Sequence, residues 1–250
     1  MESEKIFKDH MTDLASRASR GGYYTYSDFL SLAEQDTLLK TKTKTEVRFS
    51  FYGGYGNAER KIAVFGSEDD FGYSEEIPIA CIQITPLSQK YADALSHRDF
   101  LGSVTGLGIK RDVTGDIVIH ENTAYIFCLE TIADFIIENL KKVKHTDVKC
   151  NRVSSLPEEI ESRKEDMTVF SSSERADAVV AAVLNISRNE SEKLFSQKLV
   201  FSDSKIIEKP DMALKEGSII SVRGHGRFLY CGISKTTKKG RFCIKIQMYK

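Results

Sequence analysis

Two arginines are placed where they could bind an anion. Arg175 and Arg188 each fall in the first turn of a predicted helix, where the helix dipole favours acids and penalises cations by about 0.3–1 kcal/mol. The first N–H groups of a helix are unpaired, and a guanidinium beside them offers a bidentate fork to a phosphate. This placement indicates a phosphate site. The alternative is that each arginine pairs with a neighbouring carboxylate, Glu174 or Glu190.

The charge distribution along the chain favours the same chemistry. The 250 residues have a formal net charge of zero, yet residues 171–250 contain 15 Lys and Arg against 8 Asp and Glu. Eight basic residues and no acidic residue follow Glu216. A basic module on an acidic body is typical of a nucleic-acid-binding protein. Chance clustering of charge on a solvated face is the alternative.

Several other classes of protein are excluded by composition. The charged start and the lack of any apolar run near the roughly 20 residues that span a bilayer predict a cytoplasmic protein outside the membrane. The five cysteines are far apart and none form a C-x-x-C pair, which predicts buried free thiols in a reducing compartment. Because paired ligand spacing is missing, we expect no metal and no cofactor. The cysteines are Cys81, Cys128, Cys150, Cys231 and Cys243.

The first half of the chain predicts two small α+β domains. Residues 1–75 read as two helices, the second beginning at Ser27, and a hairpin-like piece. Residues 76–153 read as β-α-β-β-α-β, the ferredoxin-like (RRM-like) order, with Phe135, Ile136 and Leu140 packed beneath a four-stranded antiparallel sheet. This order supports a fold and says little about activity.

A basic segment in the middle domain contains three residues that also occur in a known catalytic loop. His97-Arg98-Asp99 is similar to the start of a kinase catalytic loop, but the other kinase segments are missing. We therefore expect His97 and Arg98 to be exposed residues at a helix start. Together with Lys110 and Arg111 they form a candidate secondary RNA contact.

The last third of the chain reads as a linker and one further domain. Residues 154–170 have the composition of a linker or an exposed short helix. In residues 171–250 a helix beginning at Ser171 is followed by a second helix, which opens with the capping box Ser187-Arg188-Asn189-Glu190. Short strands follow, and the last of them alternates apolar and polar residues over 241–249.

This C-terminal domain resembles an S4 (αL-type) RNA-binding domain. The family pattern has an Arg-x-Asp first helix, a Ser-Arg pair opening the second helix, a strand–turn–Lys hairpin and a Lys-x-Gly-x-x-Ile strand. The chain departs from it at Lys198, where a glycine is usual, and at Asp203-Ser204, where Asn-Gly is usual. The matching residues are Arg175, Asp177, Ser187, Arg188, Lys205, Pro210, Gly217 and Ile220.

Three further segments resemble the YlmH family of S4-containing RNA-binding proteins of Gram-positive bacteria. These are Gly53–Arg60, His97–Ile117 and Gly224–Phe228. The resemblance implies association with the large ribosomal subunit in rescue of stalled translation, with a link to cell division in some bacteria. Structured rRNA and tRNA are the implied partners.

We therefore expect a non-catalytic RNA-binding protein that grips phosphate and shape more than base edges. One alternative is an enzyme, because S4 domains also occur in pseudouridine synthases, but the Arg-Leu-Asp catalytic segment is missing here. Another alternative is an adaptor for division proteins. No catalytic residue is predicted. The predicted RNA contacts are Arg175, Arg188, Lys193, Lys198, Lys205, Arg223 and Arg227.

Overall fold

The computed structural model of the protein describes residues 2–41, 47–88, 93–161, 164–238 and 240–249. The chain divides into two units, Met1–Glu161 and Ser162–Lys250. Each unit combines α-helices with antiparallel β-sheet, as expected of an α+β protein. No helix in these described ranges is long and apolar enough to cross a membrane.

The first unit begins with a small helix–sheet layer. Its elements are α1 (Glu2–Gly21), β1 (Thr25–Tyr26), α2 (Leu32–Lys40), β2 (Phe49–Tyr52), β3 (Ile62–Phe65) and α3 (Glu68–Phe71), with strand order β1-β3-β2. The prediction that the second helix begins at Ser27 is wrong. Ser31 caps α2 in a capping box with Glu34, while the Ser27 hydroxyl accepts a hydrogen bond from the Ala63 N–H at 2.8 Å.

The rest of the first unit follows the predicted order of elements, with one added strand. The sheet order is β5-β6-β4-β8-β7, and every pairing is antiparallel. The predicted four-stranded sheet therefore has a fifth, two-residue edge strand, β7. The elements are β4 (Ile79–Pro86), α4 (His97–Gly106), a 3-10 helix (Arg111–Val113), β5 (Thr114–His120), β6 (Thr123–Leu129), α5 (Glu130–Asn139), β7 (Lys142–Val143), β8 (Thr146–Val153) and α6 (Glu158–Glu161).

One face of this sheet is covered by α4 and α5. Ala133, Ile136 and Leu140 are buried there, at 0%, 0% and 2% exposure. The prediction that Phe135 packs beneath the sheet is wrong, because its side chain is 47% exposed. In a helix each residue is turned by about 100° from the previous one, so Phe135 cannot share the inward direction of Ile136.

The opposite face of the same sheet packs against the N-terminal elements. Phe29 and Tyr55 form a buried cluster with Cys81, Tyr125 and Phe127 of the sheet, and the rings of Tyr55 and Phe127 stack at 4.9 Å between centroids. Strand β6 is therefore covered on both faces. Its aromatic residues are core residues and are not available to stack on bases.

The second unit is a six-stranded sheet with two helices packed on it. The strand order is β11-β10-β12-β13-β14-β9, all antiparallel. Val179, Val180 and Phe195 of the helices join Val222 and Phe228 of the sheet in one buried core. The elements are β9 (Lys164–Ser171), α7 (Ala176–Leu184), α8 (Arg188–Ser196), β10 (Val200–Ser202), β11 (Lys205–Ile206), β12 (Ile219–Val222), β13 (Gly226–Thr236) and β14 (Phe242–Tyr249).

Three features of the second unit differ from the sequence-based expectation. Residues 164–170, expected to be linker, belong to strand β9, which pairs with β14 along eight residues. Strand β13 was not predicted, because Gly226–Thr236 does not alternate regularly and its pairing with β14 contains register shifts. Helix α7 begins at Ala176 instead of Ser171, and Arg175 is its N-cap.

The cysteines are largely as predicted. Cys81, Cys128, Cys150 and Cys243 are buried free thiols, while Cys231 is partly exposed. Burial raises the pKa of Cys81 and of Cys128 to about 12. These two thiols therefore stay protonated at neutral pH and act as small apolar core residues.

The packing of α5 predicts the effect of a core truncation. Leu140→Ala should lower the free energy of unfolding of the first unit by about 2–5 kcal/mol, because the cavity left under the sheet cannot close completely. Phe135→Ala is the matched control on the same helix and should cost less than about 1 kcal/mol, since Phe135 is exposed. Chemical denaturation of both variants checks this, and equal losses would contradict the described packing.

Candidate nucleic-acid interface

Arg175 and Arg188 converge on a single carboxylate. The Arg175 Nε and Nη2 atoms donate to Asp177 Oδ1 and Oδ2 at 3.0 and 2.9 Å. The Arg188 Nη2 and Nε atoms donate to the same Oδ2 at 3.2 and 3.3 Å. The Asp177 side chain is completely buried, whereas the two arginine side chains are 39% and 48% exposed. We call these three residues the arginine–aspartate cluster.

The backbone around α7 and α8 fixes this arrangement. Helix α7 ends at Asn185, which has a left-handed conformation, and Ser187 caps α8 two residues later. The chain therefore reverses between the helices, and the first turns of α8 lie against the start of α7. The Ser191 hydroxyl of α8 donates to the backbone carbonyl of Asp177 at 2.8 Å. Sequence reasoning anticipated the two arginines, but Asp177 was only a matching position and its role as their common acceptor was missed.

The alternative, in which the arginines pair with Glu174 or Glu190, is not found in the described ranges. Glu190 accepts from the backbone N–H and hydroxyl of Ser187 in the capping box, and Asp177 takes its place as the acceptor for Arg188. A weaker ion pair joins Arg188 to Glu192 at 3.8 Å.

The first N–H groups of α7 are not open to an anion. The N–H of Ala176 donates to the Met212 carbonyl at 2.8 Å and the N–H of Asp177 donates to the Pro210 carbonyl at 2.9 Å. The N–H of Ala178 donates to the Asp177 carboxylate at 2.8 Å. The prediction that this helix N-terminus itself holds a phosphate is therefore wrong, and the guanidinium groups remain as the candidate donors to an anion.

The electrostatics of the cluster favour an ionised Asp177. Burial by itself would raise the pKa of Asp177, but the hydrogen bonds from Arg175 and Arg188 outweigh it and hold that pKa below its usual value. The same hydrogen bond raises the pKa of Arg175. Two guanidinium groups around one carboxylate leave a net charge of +1. In the described part of the chain, neither arginine uses its Nη1 atom in a hydrogen bond.

The other predicted contacts of the second unit are distributed over α8, β11, β13 and the turns that follow α8 and β12. Lys193 is exposed on α8, and Lys198 follows the far end of that helix. Arg223 follows β12, and its N–H donates to the Leu199 carbonyl at 2.9 Å, which places it near Lys198. Lys205 begins the edge strand β11. Arg227, on β13, lies 4.6 Å from the centre of the Tyr249 ring.

The four candidate residues of the first unit have different environments. His97 and Arg98 are exposed at the start of α4, and Lys110 is exposed just before the 3-10 helix. Although His97 is exposed as a residue, neighbouring groups shield it partly from solvent, and this desolvation, followed by the charge of Arg111, lowers its pKa. The Arg111 Nη1 atom donates to the carbonyls of Thr114 and Gly115 at 2.7 Å each. Arg111 therefore has a structural role in this turn.

A partly buried polar network in the first unit was missed by sequence reasoning. The Asp116 carboxylate accepts from the Tyr55 hydroxyl at 2.9 Å and from the backbone N–H groups of Glu59 and Arg60 at 2.6 and 3.1 Å. The Arg60 Nη2 atom donates to the carbonyls of Phe29 and Arg111 at 2.7 and 3.0 Å. The two motifs Gly53–Arg60 and His97–Ile117 are thus bound to each other.

Gly115 shows how closely these segments approach. A Cβ atom at Gly115 would lie 2.6 Å from the Phe29 ring, so a side chain there would displace the core. The motif resemblance named both segments, but spacing along the chain gave no sign that they meet.

The pKa of Asp177 predicts a pH-dependent contribution to stability. The lowered folded-state pKa means that the ionised group stabilises the fold above the unfolded-state value of about 3.9, and this contribution is lost as the pH falls through the folded-state pKa. Asp177→Asn should therefore cost about 1–3 kcal/mol at pH 7 and progressively less below pH ~4. Glu174→Gln is the control and should change stability little at either pH. Denaturation curves from pH 3 to 7 measure both, and a pH-independent cost of Asp177→Asn would contradict the assignment.

Comparison with known proteins places the chain in a family. Residues 73–156 match the family model described as "Putative RNA-binding domain in YlmH". The chain is similar to the "Ribosome-associated protein quality control protein P2" of Bacillus subtilis (strain 168), with 32% identity over 232 residues, which are 90% of this chain and 87% of that protein. A solved structure, cell division protein ylmH from Streptococcus pneumoniae, aligns with a TM-score of 0.49 and 18% identity over 61% of this chain and 92% of that chain. The extent and identity of the match to the Bacillus protein show that the chain is a member of the YlmH family.

Proposed function

We propose that the protein is a non-catalytic, cytoplasmic RNA-binding protein whose second unit holds RNA phosphates through Arg175 and Arg188. The observation that carries the proposal is the arginine–aspartate cluster, in which one buried carboxylate orients two half-exposed guanidinium groups. A guanidinium held in this way presents its remaining N–H groups in a fixed direction, which suits a phosphate better than a mobile lysine does.

The domain assignments are part of the same proposal. We assign residues 76–153 to a ferredoxin-like domain because β5-β6-β4-β8 have antiparallel order with two helices on one face. We assign the second unit to an S4-type domain because the α7–α8 pair carries the family's arginines and packs on the following strands. In this assignment β9 extends the S4-type domain toward Lys164, and residues 1–75 form a separate subdomain.

The proposed RNA is rRNA or tRNA on the large ribosomal subunit, bound during rescue of stalled translation. The support is the similarity to the Bacillus protein, whose name describes ribosome-associated quality control. Phosphate contacts from Lys193, Lys198, Lys205, Arg223 and Arg227 would orient the RNA on the second unit without reading its sequence.

The family model over residues 73–156 favours a second RNA contact in the first unit. His97, Arg98 and Lys110 are exposed and suit this role. Arg111 is a poor candidate because its guanidinium holds the 111–115 turn. Since Tyr125 and Phe127 lie in the core, this contact would use charged loop and helix residues and not an aromatic sheet face.

A salt series tests the phosphate mechanism. Arg188→Ala should weaken binding of purified large ribosomal subunits and of a labelled RNA hairpin by about 1–3 kcal/mol. The slope of log K against log salt should become shallower by about one, because one fewer counterion is released. Arg188→Lys should recover part of the affinity, since an ammonium keeps the charge and loses the fork. Asp177 keeps Arg175 as a partner, so the variants should remain folded.

The control for net charge is Lys235→Ala, an exposed lysine on β13 outside the proposed contacts. It removes the same charge and should change affinity and slope much less. Equal effects of Arg188→Ala and Lys235→Ala would show that overall charge, and not the arginine–aspartate cluster, holds the RNA.

A further inference from the structure

Lys198 has a backbone conformation that usually belongs to glycine. Its φ is +56°, in the left-handed region where a Cβ atom is disfavoured. The N–H of Lys198 donates to the Phe195 carbonyl and the N–H of Leu199 to the Leu194 carbonyl, both at 2.9 Å. These two bonds form a Schellman turn at the end of α8, and Lys198 is at the position where glycine is common.

The helix itself does not require a lysine there. A cation near a helix C-terminus interacts favourably with the dipole, but Lys193 already lies in the last turn of α8. A lysine inside that turn would give the same benefit without the left-handed backbone. Because the end of the helix does not need a lysine in this conformation, the Lys198 side chain is a candidate for a functional role.

Arg223 lies beside Lys198. Its N–H donates to the Leu199 carbonyl at 2.9 Å, so the start of the 223–226 turn is fixed next to the Schellman turn. Both side chains belong to exposed residues. No ion pair joins either of them to a carboxylate in the ranges that the structure describes. Two uncompensated cations thus lie at the end of α8 opposite to the arginine–aspartate cluster.

We propose that Lys198 and Arg223 form a second phosphate-binding site, and that RNA bridges the two ends of α8. The nine residues of α8 separate the ends by about 13 Å at 1.5 Å per residue, so the two sites would contact different phosphates of one structured RNA. This inference rests on the proposed RNA-binding function. It adds that the charge of the Lys198 side chain is the reason why a lysine, and not a glycine, occupies this left-handed position.

The test compares stability and affinity in the same full-length variants. Lys198→Gly removes both strain and charge, so the unfolding midpoint should rise by about 2–4 °C, while affinity for a labelled RNA hairpin should fall about fivefold or more. Lys198→Asn removes the charge and introduces a residue that tolerates the left-handed conformation. Its affinity for the hairpin should fall by the same factor as that of Lys198→Gly. Arg223→Ala should lose a similar amount.

Glu121→Gly is the matched control. Glu121 also has a left-handed φ, +56°, at an exposed turn of the first unit, and an acid cannot hold a phosphate. Its replacement should raise the midpoint without weakening RNA binding.

The outcomes separate the two proposals. If Lys198→Gly and Lys198→Asn bind the hairpin as the wild type does while Arg188→Ala binds weakly, the second site is wrong and the proposed binding of RNA by Arg175 and Arg188 stands. A midpoint that does not rise in Lys198→Gly would overturn the strain argument. If the wild type binds neither the hairpin nor purified large subunits, the proposed function itself is wrong.

Discussion

The candidate interface depends on the burial of one carboxylate between two guanidinium groups. An unpaired carboxylate would be costly at the place of Asp177, and its burial is stabilised by the hydrogen bonds from Arg175 and Arg188, of which those from Arg175 are the shorter. The arginines in turn are held by a residue that is itself fixed by the Ser191 hydroxyl and by the Pro210 carbonyl. Charge pairing therefore links the starts of the two helices, and a backbone hydrogen bond links Asp177 to the loop at Pro210. Together these contacts hold both arginines in a defined position.

A partly buried carboxylate has a similar structural role in the first unit. Asp116 binds the Gly53–Arg60 segment, and Arg60 reaches back to the carbonyls of Phe29 and Arg111. This network holds the N-terminal elements against one face of the sheet. That face is therefore covered, whereas a sheet that binds RNA through its surface would need it to be exposed. A ligand of the first unit would then have to contact other residues, and the exposed cations at the start of α4 and in the following loop are candidates.

Sequence patterns predicted the features that depend on residues close together in the chain. The capping box at Ser187, the helix over 130–139 and the order of elements in the middle domain follow from spacing and caps, because those signals act within a few residues. Pairings between distant segments were not predictable in the same way. Strand β9 reads as a charged linker, since only its contact with β14 makes it a strand. For the same reason, sequence patterns did not predict that Asp177 accepts hydrogen bonds from both arginines. Asp177 lies 11 residues before Arg188, and the two side chains meet only when the helix hairpin has formed.

The affinity of Asp177→Asn for RNA tests the central claim most directly, because two accounts predict opposite signs. The substitution makes the second unit more positive by one charge, so binding that depends on net charge alone would become tighter. If the carboxylate orients Arg175 and Arg188, the freed guanidinium groups must be ordered again on binding, and affinity for purified large ribosomal subunits should fall at every salt concentration. Glu174→Gln makes the same charge change without touching the arginines and should not weaken binding. Binding of folded Asp177→Asn as tight as that of the wild type, or tighter, would contradict the account.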